Sequence, residues 1–107
     1  MTAFSLRTLL KFNGMDDEKI YIALCGKVYD VSDSPFYKPD GAYHAFAGRD
    51  ATYGLGKNDI PSYVKCEVQP LLNEKLTEKE MLQAKEWQVV FDRKYTVVGT
   101  LEESNKL

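Results

Sequence analysis

The strongest constraint on the fold is a pair of short alternating runs separated by a single turn. In IYIAL, residues 20–24, the positions Ile20, Ile22 and Leu24 share one face, the period of a half-buried strand. Gly26 breaks that run, and KVYDV supplies a second short strand, so Cys25-Gly26-Lys27 reads as a hairpin turn. Helical signals surround this hairpin. Ser5 is an N-cap before LRTLLKF, with Leu6, Leu9 and Leu10 on one stripe and Asn13-Gly14 as the stop. Thr77 and Glu80 form a T-x-x-E capping box that opens a helix running to about Phe91. Along it Met81, Ala84, Trp87 and Phe91 recur at helical spacing, which assigns them to the core. YTVVGTL then reads as a closing strand before a polar tail. With no internal repeat or linker, the expectation is one α+β domain over residues 1–107, its ordered part spanning about 4–101.

The counts of particular residues exclude several functions. A net charge of −2 does not make a general nucleic-acid surface. The chain has a single histidine, which ends most zinc readings and also any haem site built on two histidines. Cys25 and Cys66 lack metal-ligand spacing and read as free thiols of a reducing compartment. The longest apolar runs fall far short of the roughly 20 residues a spanning helix needs, and no signal-peptide core is visible. Seven tyrosines, by contrast, are many for 107 residues.

Chemistry concentrates in FYKPDGAYHAFAGRDATYGLG, residues 36–56, which holds three tyrosines, the only histidine, four glycines and an Arg-Asp pair. Glycines mark sharp turns or close approach. Short helices are expected over 42–47, closed by Gly48, and from Asp50 as cap to about Lys57; residues 58–70 are ambiguous. No Gly-Lys-Ser/Thr follows, and Gly48, Gly54 and Gly56 do not match a dinucleotide fingerprint. Ser32, Ser34 and Ser62 lack a nucleophile-elbow context, so the chain does not read as an enzyme.

GKVYDVSD, then FYKPDGAYHAFAGRDAT, then W-x3-F-x2-KYTVVG resemble the membrane-associated progesterone receptor (MAPR) family. That family is the tyrosine-ligated branch of the cytochrome b5-like haem/steroid-binding fold. The resemblance implies short helices over a small mixed sheet, forming a pocket for non-covalent haem b. It implies Tyr43, in the Gly-x-Tyr step, as the iron ligand. Tyr37 would lie against the haem edge, and Lys94 and Tyr95 near the propionates and the ligand. Asp30 matches a position better suited to anchoring a loop. Phe36, Phe46, Leu55 and Val64 are candidates to cover the porphyrin. His44 is the alternative ligand, although on a short helix it points about 100° away from Tyr43, and a loop histidine is the commoner case. Tyr21 and Tyr29 are strand packing, and Tyr53 and Tyr63 have no assigned role.

The resemblance further implies a partner or haem chaperone for microsomal haem-thiolate monooxygenases of sterol metabolism. The expected location is the cytoplasm or the cytoplasmic face of endoplasmic reticulum membranes. Members of the family commonly begin with a membrane helix, and none is present in this sequence. Two other readings stay open: a cytochrome b5-type electron carrier, and a haem-free steroid-binding adaptor. An exposed haem face also suggests a stacked homodimer.

Overall fold

The computed structural model describes residues 2–57 and 77–102. Four strands form one mixed sheet: β1 (Thr2–Phe4), β2 (Tyr21–Leu24), β3 (Lys27–Asp30) and β4 (Thr96–Leu101). Their order across the sheet is β1-β4-β3-β2, with β1 parallel to β4 and the other pairs antiparallel. Four helical pieces accompany them: α1 (Leu6–Leu9), the 3-10 turn η1 (His44–Phe46), α2 (Thr52–Lys57) and α3 (Glu78–Lys94). This is an α+β arrangement, as expected.

The hairpin forms where the alternation placed it. Cys25 and Gly26 have φ of 51° and 84°, the left-handed pair that a two-residue hairpin turn requires. Thr52 Oγ1 accepts from Cys25 N at 2.8 Å and donates to Asp50 Oδ1 at 2.6 Å, tying the turn to the start of α2. Ile20, Ile22, Leu24, Tyr29 and Val31 pack on one side of the sheet with Phe46 and Phe91. Ala23 and Val28 pack on the other with Phe4, Leu6, Leu9 and Leu101.

Capping follows the sequence closely. Ser5 accepts from Thr8 N, and the Thr77–Glu80 box is reciprocal. Asp50 Oδ1 accepts from Thr52 N at the head of α2.

Four expectations are corrected. The strand β1 was not foreseen: three residues carry too little alternation, and only pairing with β4 makes them a strand. Helix α1 stops at Leu9, short of Asn13, whose side-chain oxygen instead accepts from Met15 N and Asp16 N. Helix α3 runs to Lys94 rather than Phe91. Met81 and Trp87 are 36% and 38% exposed and are not core, whereas Ala84 and Phe91 are buried. Val64, Tyr63, Cys66, the ambiguous stretch 58–70 and the tail beyond Glu102 lie outside the described residues.

Candidate functional site

A cleft of about 340 Å³ opens between the turn that carries η1 and one face of α3. The loop after β3 contributes Phe36 and Tyr37. The following turn contributes Tyr43 and Phe46, α2 contributes Gly54 and Leu55, and α3 contributes Trp87, Val90, Phe91 and Lys94. Tyr95, the C-cap of α3, completes the lining. The walls are mostly apolar, with a few convergent hydroxyls and one cation, the usual chemistry of a small-molecule site.

Local sequence explains how the tyrosines arrive there. Gly41 lies directly on the chain at Pro35 and Phe36, where an added Cβ would run into both carbonyl oxygens. Its lack of a side chain lets the Gly41-Ala42-Tyr43 step fold back, and Tyr43 N donates to Phe36 O at 2.8 Å. Tyr43 then stands at the cleft rim, 42% exposed. Tyr37 lies behind it and is buried. Its ring is 6.4 Å from that of Tyr43 and 6.3 Å from those of Tyr95 and Phe91. Burial, reinforced by the Tyr95 and Tyr43 phenols, pushes the Tyr37 hydroxyl well above the ordinary phenol range. Without a cation beside it Tyr37 is therefore a neutral hydroxyl, suited to donating a hydrogen bond. Tyr95 Oη makes a long contact of 3.5 Å to Ser34 Oγ.

The structure thus brings Tyr43, Tyr37, Lys94 and Tyr95 into one cleft. Phe36, Phe46 and Leu55, named as apolar cover, line it as well. His44 is directed elsewhere. Its Nε2 lies 2.9 Å from Asn13 O, and because a carbonyl only accepts, that nitrogen carries the proton. Asp30 is a loop anchor: its Oδ1 accepts from Ser32 N at 2.9 Å and from Ser32 Oγ at 2.5 Å. Burial pushes the Cys25 thiol up, which keeps it protonated.

Trp87, Val90 and Phe91 were missed as lining residues. A signal existed: with Val89 and Val90 beside it, the apolar surface of α3 is wider than one core stripe needs. A second cavity of about 480 Å³ lies across Phe36, Lys94 and Tyr95. It is larger, but Asp30 and Asp33 line it, which suits an anionic or apolar ligand poorly. Among the described residues no cluster of three or more His, Cys, Asp or Glu could hold a bare metal ion. No helix among them is long and apolar enough to cross a membrane.

Known proteins resemble this chain in sequence and in fold. An Arabidopsis thaliana protein named probable steroid-binding protein 3 is 43% identical over 98 residues, covering 90% of this chain and 94% of that protein. The cytochrome P450 regulator dap1 of Schizosaccharomyces pombe is 37% identical, with 87% of this chain and 58% of that protein covered. Human membrane-associated progesterone receptor component 2 is also 37% identical, over 92% of this chain and 44% of that protein. The chain therefore spans nearly all of the plant relative and about half of the other two. Among solved structures, an Arabidopsis thaliana protein described as having a cytochrome b5-like fold superposes with a TM-score of 0.79. It is 37% identical, and 94% of this chain and 91% of that one are covered. A cytochrome b5 domain protein of the archaeon Methanococcoides burtonii superposes with a TM-score of 0.54 at 26% identity, over 95% and 99% of the two chains. The family model for the cytochrome b5-like heme/steroid binding domain matches residues 5–100. By sequence and fold together, the chain belongs to the cytochrome b5-like heme/steroid binding domain family, in the branch of the membrane-associated progesterone receptors.

Proposed function

We propose that the cleft binds haem b non-covalently, with Tyr43 as the iron ligand through its phenolate oxygen. The observation that carries this reading is the single cleft shared by Tyr43, Tyr37, Lys94 and Tyr95 within aromatic walls. The residues fit the group. Phe36, Phe46, Leu55, Trp87, Val90 and Phe91 supply apolar cover for a flat macrocycle. Lys94 supplies a cation for a propionate, and Tyr37 a neutral hydroxyl donor. A phenolate ligates iron far better than a phenol does, and a cation beside the oxygen favours that anion. Ferric iron held there would supply that charge, and an anionic oxygen ligand would favour the ferric state.

Two features separate this reading from an electron carrier of the cytochrome b5 type. An electron carrier of that type holds its iron between two histidines. The chain has one histidine, and its Nε2 is committed to Asn13 O. We further propose that the protein serves a haem-thiolate monooxygenase as partner or haem donor at the cytoplasmic face of the endoplasmic reticulum. The yeast relative's description as a cytochrome P450 regulator supports this role. A haem-free steroid-binding adaptor is the second reading, favoured by the name of the plant relative and by the apolar lining of the cleft. Stacking of two exposed haem faces into a homodimer belongs to the first reading. A holo-protein that stays monomeric at micromolar concentration rejects it.

Titration of the purified protein with hemin tests the assignment. The wild type gives high-spin ferric tyrosinate charge-transfer bands. Tyr43→Phe loses them, and His44→Ala keeps them. The reverse pattern overturns Tyr43 as ligand. A colourless protein that takes up no hemin but binds a steroid supports the adaptor.

A further inference from the structure

Helix α3 carries Trp87, Val90, Phe91 and Lys94 to the cleft, yet only two of its 17 residues, Ala84 and Phe91, are buried. Polar links tie it to the sheet. Tyr29 Oη donates to Asp92 Oδ1 at 2.6 Å across 63 positions of sequence. Gln88 Nε2 donates to Leu24 O at 3.2 Å. Gln88 and Asp92 are four residues apart, so they stand one above the other on a single helix stripe. The pairs Trp87/Phe91 and Val90/Lys94 have the same spacing and lie turned by roughly 100–160° from that stripe. One face of α3 is therefore bonded to the hairpin while another forms the cleft wall. Any rotation of the helix that breaks the first moves the second.

Tyr29 heads the fully buried side chains of the core by volume. A phenylalanine would fill the same space with no polar atom to satisfy. Its hydroxyl instead meets a carboxylate, the stronger kind of hydrogen bond. Burial first, then the bond to Asp92, raise the Tyr29 pKa, so the hydroxyl remains the donor. Lys27 Nζ, 4.0 Å from the same Asp92 oxygen, completes the group.

We propose that Tyr29, Asp92 and Gln88 are positioning residues that set the rotation of α3 on the sheet and so the placement of Trp87 and Lys94 around the bound ligand. The proposal rests on the haem reading for its ligand, but part of its test is independent of haem. Trp87 is the only tryptophan in the chain and sits in the cleft wall. Its quenching by acrylamide in the ligand-free protein therefore reports the wall directly.

Four variants decide the matter, each confirmed folded by a cooperative denaturation transition: Tyr29→Phe, Asp92→Ala, the double variant of these two, and Asp92→Asn. Tyr29→Phe and Asp92→Ala should change Trp87 quenching alike and raise the hemin Kd about tenfold, the scale of one lost charge-assisted hydrogen bond. The double variant should be no worse than either single one, and Asp92→Asn, which keeps an acceptor oxygen, should stay near wild type. Unchanged quenching in both Tyr29→Phe and Asp92→Ala overturns the proposal. So do additive costs in the double variant, or altered quenching with unaltered hemin affinity. A wild type that takes up no hemin defeats the haem reading alone, because quenching still decides whether the pin sets the wall.

Discussion

The two sides of the sheet use the same residue type for opposite ends. On one side Tyr21 stacks on Phe12 at 4.6 Å, and Phe4 meets both rings edge-on at 5.7 and 5.9 Å. This cluster is closed over Leu6, Leu9, Ala23, Val28 and Leu101. On the other side Tyr37, Tyr43 and Tyr95 surround a cleft, and Phe36, Trp87 and Val90 remain partly in solvent at its edge. The two buried polar residues among those described, Ser34 and Asp50, lie in the loop after β3 and just before α2. The closed side exchanges exposed apolar area for stability. The open side keeps apolar area and hydroxyls available for a ligand, so its gain is deferred until binding.

This contrast is easiest to break on the closed side. Leu9 is wholly buried there, and Leu9→Ala should cost about 3 kcal/mol in chemical denaturation. Val90→Ala, at the half-exposed cleft edge, should cost less than about 1 kcal/mol. Equal costs would mean that the cleft edge is packed core.

For hemin affinity the asymmetry reverses. Tyr43→Phe should weaken binding by about 100-fold, the upper range for disturbing a metal site, whereas Tyr21→Phe should leave the titration unchanged. Next in size is Gly41→Ala, whose methyl group would press on the carbonyls of Pro35 and Phe36. It should weaken hemin binding about tenfold by displacing the Tyr43 turn, and destabilise the ligand-free fold by about 1 kcal/mol.

The smallest effect concerns Asp50. Complete burial raises its pKa, opposed by the bonds from Thr52 Oγ1 and N. Above the ordinary carboxylate range the folded chain holds a proton that the unfolded chain has released. The stability this group contributes is therefore fully present at acidic pH and is lost as pH rises through the folded-state pKa. Asp50→Asn keeps an acceptor for Thr52 and should flatten that part of the stability–pH curve. An unchanged slope would place the titration elsewhere.

Much of this architecture was legible because it is local. Alternation over Ile20, Ile22 and Leu24 fixed which side chains share a face, and the Ser5 and Thr77 caps fixed where α1 and α3 begin. The Gly41–Tyr43 step and its neighbours were legible as a site because residue types and spacing identify the family. The assignment of Trp87 to the core failed because spacing gives a helical stripe but not what the stripe faces. Trp87 shares a stripe with buried Phe91 and yet lines a cleft and is 38% exposed.

By itself, then, the sequence determined the hairpin, the helix starts, the family and the identity of the tyrosine in the Gly-x-Tyr step. All of these are encoded within a few consecutive residues. Tertiary structure alone decided the rest: the strand β1 that exists by pairing with β4, the meeting of Lys94 and Tyr95 with Tyr43, the capture of His44 by Asn13 O, and the Tyr29–Asp92 bond. Each joins residues distant in the chain. Their proximity depends on how helices pack on the sheet, and local periodicity carries no record of that.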